Sequence, residues 1–247
     1  MLTVSEALAR FLSVRHYSRF SLKAVLFDMD GVLFDSMKNH TLAWYKAVSG
    51  EGIPCERNEF YRYEGSTGAG TIHSLFQRTY GRNATPGEVE RIYGEKSRYF
   101  NEMAEPEPMP GAKEILEQVV GAGLKPVLVT GSGQNSLLER LERIYPATFL
   151  PEYRVTAFDV RNGKPHPEPY LKGLEKAGVR AWEALVIENA PLGVEAAHHA
   201  GIFTIAVNTG PLSEESLWEA GADRVYPDMP ALSADFQEII RHMLPFG

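Results

Sequence analysis

Two rhythms of apolar residues divide this chain. From residue 112 onward, short continuous apolar runs alternate with stretches of helical spacing. Strands are expected at 24–28, 126–130, 153–157, 184–188, 204–207 and 224–226. Helices are expected at 112–121, 134–144, 167–177, 192–200 and 212–220, with a last one at the end of the chain. Unbroken apolar runs suit strands buried on both faces, and their alternation with helices implies a parallel sheet covered on both sides. Residues 37–103 follow the other rhythm and hold no convincing buried strand. Trp44, Tyr45 and Val48 share one helical face, Leu75, Phe76, Thr79 and Tyr80 a second, and Val89, Ile92, Tyr93, Lys96 and Phe100 a third. The proline-rich stretch EPEPMPG, residues 105–111, stiffens the return. The pattern predicts an α/β core with a Rossmann-like parallel sheet, residues 21–36 and 107–247, and an α-helical domain at 37–106 inserted after the first strand.

The first twenty residues stand apart. Val4, Ala7, Leu8, Phe11 and Leu12 follow helical spacing, with Arg10, Arg15 and Arg19 around them and Glu6 as the one acid. That composition resembles a mitochondrial transit peptide. An N-terminal extension, either an extra helix or a tail packed on the core, is the preferred reading of 1–20. The whole chain, 247 residues with 44% hydrophobic and 23% charged, has ample length for a core. Its net charge of −7 gives no sign of a nucleic-acid or membrane partner. A single cysteine, Cys55, rules out an intrachain disulfide and suits a reducing, cytoplasmic setting.

Open parallel sheets bind ligands at the carboxyl ends of their strands. There the first run ends in Asp28-Met29-Asp30, the second in Thr130-Gly131-Ser132, and the fourth in Glu188-Asn189; Lys164 sits in the loop NGKPHPEPY. Asp28 and Asp30 are two apart, so in extended chain they point to one side. Carboxylates that close need a cation or a shared proton. With Glu188 and an Asn189 oxygen, the donor set is all oxygen and favours Mg²⁺, which keeps waters and room for phosphate. Lys164, the Thr130 and Ser132 hydroxyls and the N–H groups near Gly131, ahead of a helix, would hold an anion. Metal, lysine and N–H cradle together indicate phosphoryl transfer.

The ordered set DMDGVLFDS, TGS, Lys164 and VIEN resembles the haloacid dehalogenase superfamily, and APLGVEAAHHAG with the helical insertion resembles its β-phosphoglucomutase-like branch. The resemblance covers nearly all of the chain from Lys23. It implies that Asp28 is the nucleophile that forms an aspartyl phosphate and Asp30 the general acid and base. It implies Mg²⁺ on Asp28, the Asp30 carbonyl, Glu188 and Asn189, and phosphate on Thr130, Gly131 and Lys164. The family usually has an acid where Asn189 stands, so weaker metal binding is expected. The insertion becomes a cap that closes over the site and sets specificity. His40 stands where the sugar-phosphate mutases carry a histidine, and YEGSTGAG, residues 63–70, stands at the specificity loop. Mutases carry a lysine just before Gly65 and an arginine three residues after it; here Glu64 and Gly68 take those places. Glu64 could reach toward the metal or shrink the pocket. Lys96 could supply missing charge, or snorkel as an ordinary helix lysine.

Each motif has a plainer reading: a turn pair for Asp28 and Asp30, a solvated loop lysine for Lys164, a helix cap for Glu188-Asn189, a strand-to-helix turn at Thr130. His166 and the pair His198-His199 are read as structural. The expectation is a monomeric Mg²⁺-dependent phosphohydrolase acting on a small phosphorylated molecule. Inorganic pyrophosphate is the first candidate and small sugar phosphates come next. A β-phosphoglucomutase and a non-catalytic phosphate-binding protein are the alternatives.

Overall fold

A computed structural model describes residues 2–244. Six parallel strands form one sheet in the order β3-β2-β1-β4-β5-β6. They are β1 (Ala24–Phe27), β2 (Lys125–Val129), β3 (Arg154–Val155), β4 (Ala184–Glu188), β5 (Phe203–Val207) and β6 (Arg224–Tyr226). Every residue of β1, β4 and β5 is buried, as their unbroken apolar sequence requires. Side-chain alternation splits the core in two. Val25 and Phe27 face one layer of helices, and Ala24 and Leu26 face the other. The first layer includes α1 (Val4–Arg15), α5 (Ala112–Gly121), α6 (Asn135–Ile144) and α10 (Met229–Met243); the second holds α7 (Glu168–Ala177) and α8 (Pro191–His199). The short α9 (Glu214–Glu219) packs Leu217 beside β6.

Strand three is shorter than its apolar stretch suggests. Beyond Val155 the chain turns, because the Asp159 carboxylate accepts hydrogen bonds from the Thr156 N–H (2.8 Å) and hydroxyl (2.9 Å). That local ring competes with the sheet ladder and ends the strand. The expected 153–157 strand therefore reduces to two residues.

Between β1 and β2 the chain forms α2 (Met37–Gly50), a 3-10 segment (Arg57–Tyr63), α3 (Gly68–Tyr80) and α4 (Pro86–Asn101). These helices have their own apolar cluster, built on Trp44, Phe60, Ile72, Leu75, Phe76 and Ile92. Helix α4 begins with a complete capping box, Thr85 and Glu88 each bonding the other's backbone, with Pro86 in the first turn.

Residues 4–15 form α1, closed at its start by a Thr3–Glu6 capping box. Val4, Ala7 and Phe11 are buried in the main core, and the Phe11 ring meets Phe203 edge-on at 5.3 Å. Phe11→Ala should cost about 3–5 kcal/mol of stability, the range for deleting a buried aromatic side chain. Urea denaturation of the full chain checks this, and an unchanged midpoint would mean that α1 does not dock.

Candidate active site

The order of strands places the chemistry. Strand β1 lies between β2 and β4, and the connections leave it in opposite directions, which opens a crevice at the β1/β4 boundary. Phe27 is level with Ile187, so the next residues, Asp28 and Glu188, emerge side by side. Lys164 reaches them from the loop before α7. Its ammonium donates to Asp28 Oδ1 and to Glu188 Oε1, both at 2.6 Å, and to the Val129 carbonyl at 3.1 Å. Its side chain is fully buried, so it is not a solvated loop lysine.

Charge inside this cluster is unbalanced. Asp28, Glu188, Asp30 and Glu64 lie in one site, and Lys164 is the cation in direct contact with Asp28 and Glu188. Burial, offset in part by Lys164 and reinforced by Glu188 and Asp30, pushes the Asp28 carboxyl up to about 8. Burial also drives Glu64 well above the usual carboxylate range; Asn189 opposes this, while Asp28, Glu188 and Asp30 add to it. Burial alone would lower the Lys164 ammonium, yet Asp28 and Glu188 outweigh it and hold its pKa above the ordinary value. Glu188 is tied further by the Tyr170 hydroxyl (2.7 Å) and the N–H groups of Asn189 (2.9 Å) and Ala190 (3.2 Å). A Cβ on Gly193 would fall 1.8 Å from a Glu188 carboxylate oxygen, so a larger residue in this first turn of α8 would displace that carboxylate.

The donor set fits a hard divalent cation. Asn189 Oδ1 is buried with no hydrogen-bond partner among the described residues, an arrangement that costs free energy unless something accepts its lone pairs. On the other side of that amide, Nδ2 donates to Glu64 Oε1 at 2.6 Å. A carboxylate from the helical insertion thus stands beside the amide that replaces an expected acid. Among the described residues no three acidic, histidine or cysteine side chains form a ready-made metal cluster, so a cation here would also draw on the Asn189 amide oxygen.

Asp30 belongs to a second network. Its Oδ1 accepts from the Ser36 hydroxyl at 2.5 Å and lies 3.0 Å from His40 Nε2. His40 Nδ1 lies 2.7 Å from Lys96 Nζ, which donates to Gln134 Oε1 at 2.6 Å. Burial, and next Lys96, depress the His40 pKa, so the ring is neutral. A neutral ring that donates through Nε2 to Asp30 accepts through Nδ1 from Lys96. Burial acts to raise the Asp30 pKa, but His40, Ser36 and Lys96 together leave it below the ordinary value. Lys96 is 3% exposed, so it does not snorkel to solvent.

The phosphate-side residues are also brought in. Thr130 is buried and its Oγ1 accepts from the Ser132 N–H at 3.0 Å; Ser132 Oγ in turn accepts from the Gln134 N–H at 3.2 Å. The hydroxyls thus shape the strand-to-helix turn. The loop 63–70 presses on this turn: a Cβ on Gly131 would sit 2.4 Å from the Gly65 carbonyl oxygen. Asp30, His40, Trp44, Glu64, Tyr93, Lys96 and Ser132 are among the residues lining a half-open cavity of about 50 Å³. His166 Nδ1 accepts from the Glu168 N–H at 3.1 Å, and His198 sits 3.2 Å from the Gly221 carbonyl, so both are structural as expected.

Sequence reasoning missed Gln134, Tyr170, Ser36 and Tyr93. Gln134 follows TGSG directly, and Tyr170 lies in the first turn of α7 after Lys164. Their positions next to motifs were the available signal.

With this geometry in place, comparison with known proteins is informative. The haloacid dehalogenase-like hydrolase family matches residues 25–207, and this chain belongs to it, in the β-phosphoglucomutase-like branch. A phosphorylated carbohydrates phosphatase of Thermotoga maritima is 33% identical over 202 residues, 81% of this chain and 92% of that protein. Hexitol phosphatase A of Escherichia coli is 34% identical over 193 residues, covering 75% of this chain and 83% of its own. A structure from Bacteroides vulgatus, described as a candidate β-phosphoglucomutase, is 48% identical with a TM-score of 0.94, covering 97% of this chain and 98% of that one.

Burial holds Lys96 down to about 7, against an ordinary value of 10.5. Between those values the unfolded chain binds a proton that the folded chain does not, so stability rises with pH across that window. Lys96→Met removes this dependence. Urea midpoints measured from pH 7 to 10 should move in favour of the wild type relative to the variant as pH rises; a constant difference would show that Lys96 stays charged when folded.

Proposed function

We propose that the protein is a Mg²⁺-dependent phosphohydrolase whose helical insertion, 37–106, caps the site, and that inorganic pyrophosphate is its first substrate candidate. The cavity beside Asp30 carries this reading. A water needs roughly 10–15 Å³ on this measure, so about 50 Å³ accommodates a group of roughly three to five heavy atoms. A phosphate leaving group suits that space better than a hexose does.

In this reading Asp28 Oδ attacks phosphorus and the bond to the leaving oxygen breaks, giving an aspartyl phosphate. Lys164, with the Gly131 N–H and the Thr130 and Ser132 hydroxyls, holds the transferred phosphoryl oxygens. Asp28, Glu188, Asn189, the Asp30 carbonyl and, through its place beside Asn189, Glu64 would hold the metal. When bound, Mg²⁺ would neutralise the charge that gathers on the phosphoryl oxygens. Asp30 then takes a proton from the water that cleaves the aspartyl phosphate. Ser36 and His40 keep this carboxylate ionised, which suits a base. An ionised Asp30 is a poor acid for an alcohol leaving group. Pyrophosphate that enters carrying a proton releases hydrogen phosphate, which departs without a further proton from Asp30.

The aromatic walls Trp44, Phe60, Tyr63 and Tyr93 support a second reading, hydrolysis of small phosphorylated sugars or polyols, the compounds named in the relatives' activities. Phosphate release from pyrophosphate, hexose phosphates, hexitol phosphates and an aryl phosphate, with Asp28→Asn as blank, separates the two. The expected result is preference for pyrophosphate with Mg²⁺ present. Preference for hexitol or hexose phosphates would overturn it in favour of the second reading. Conversion of β-glucose 1-phosphate to glucose 6-phosphate without free phosphate would make the protein a mutase.

Glu64 offers a sharper check. If it supplies the charge that Asn189 withholds, Glu64→Gln should raise the Mg²⁺ concentration for half-activation by about tenfold, which corresponds to ~1.4 kcal/mol. Asn189→Asp should lower it. Unchanged activation curves for both would remove these residues from the metal site.

A further inference from the structure

At the opposite edge of the sheet lies a groove that the hydrolytic site does not use. His16, Tyr17, Ser18 and Arg19, on the link from α1 to β1, face Arg180 and Trp182, on the turn into β4; together they enclose about 430 Å³. That volume falls in the range of small-ligand pockets. Trp182 precedes β4 and Glu188 ends it. At roughly 3.3 Å per residue the groove is therefore ~16–20 Å from the catalytic edge.

The lining is unusual for this chain. Acids outnumber lysines and arginines, 32 to 25, yet the groove is lined by two arginines, a histidine, a serine and two aromatics, with no carboxylate among them. Glu183, next to Trp182 in the chain, is already engaged by Lys23 (2.6 Å) and by the Arg180 N–H (2.9 Å). The walls are fixed. Tyr17 donates to the Gly201 carbonyl at 3.3 Å, its ring lies 5.1 Å from Trp182, and the Arg180 guanidinium lies 5.2 Å over that indole. Arg180 is thus held against an aromatic face, with its donors available to a ligand. Arg19 makes no ion pair or side-chain hydrogen bond among the described residues and is exposed at the rim.

We propose that this groove binds a small polyanion of the phosphate class, held by the Arg19 and Arg180 guanidiniums and the Ser18 hydroxyl. Guanidinium forks match phosphate oxygens two at a time, and two of them from separate segments would grip a chain of phosphates better than a single one. The same chemistry occurs in inorganic polyphosphate and in the phosphate tail of a nucleotide.

Both sources can be tested on the full chain carrying Asp28→Asn, in metal-free buffer, by intrinsic tryptophan fluorescence. The probes are tripolyphosphate and ATP, each larger than the cavity of about 50 Å³ at the other site. Saturable quenching is expected for at least one probe. Arg19→Glu combined with Arg180→Glu should weaken it by about tenfold or more, and added salt should weaken it further. Equal affinity for the two probes would mean that the phosphates alone are read; tighter ATP would mean that the aromatic wall contributes. Arg19→Glu alone touches no contact that folding needs, so a several-fold loss there keeps the test valid if the double variant is unstable. Trp182→Phe should abolish the signal. With Asp28 intact, the double variant must keep whatever phosphate-releasing activity the wild type has, which separates this groove from the hydrolytic reading. Absence of quenching by either probe, or equal affinity in wild type and both charge-reversal variants, would overturn the proposal.

Discussion

A buried ammonium between two buried carboxylates organises this molecule. Lys164, Asp28 and Glu188 are almost without solvent exposure, and removing three charges from water is costly unless each finds partners. The fold supplies them. Strands β1 and β4 run in register, so the two acids emerge level with each other. The loop before α7 brings Lys164 between them, and Tyr170 and the first N–H groups before α8 take the remaining Glu188 oxygens. Sheet order, loop path and the start of two helices are all needed to keep that one ammonium paired.

Around it, the structure separates two carboxylates that stand two residues apart. Burial and neighbouring acids drive Asp28 up, while Ser36 and His40 help hold Asp30 down. Adjacent carboxyl groups pushed in opposite directions can take different chemical parts. The second network also joins the two halves of the chain, since Lys96 from α4 bonds both His40 of α2 and Gln134 at the start of α6. The contact of Gly65 with Gly131 adds a backbone seam that a side chain at Gly131 would prevent. The contact between the helical insertion and the sheet and the electrostatics of Asp30 are therefore one arrangement.

The sheet uses both of its edges. Its carboxyl edge gathers the acids, and the other collects arginines and aromatics from the α1 link and the Trp182 turn. Helix α1 matters to both, since Phe11 belongs to the main core and the chain after it forms one wall of the groove.

Much of this was legible in the chain itself. Unbroken apolar runs announced β1, β4 and β5, because a strand covered on both faces has no polar side. Asp28, Asp30, Thr130, Lys164 and Glu188 announced themselves by lying at strand ends or in loops where a parallel sheet binds ligands. The apolar stretch at 153–157 misled, because a Thr156–Asp159 hydrogen-bond ring, invisible to periodicity, cut the strand short. Glu64, His40 and Lys96 were visible only as candidates. Whether Lys96 faced solvent or Gln134, and whether Glu64 touched Asn189, depends on contacts between residues 38 and 125 positions apart. Local pattern fixes which residues form a strand or helix, since it records burial along one segment. Only tertiary packing decides which charges meet, because the cost of an unpaired buried charge is settled by neighbours from elsewhere in the chain.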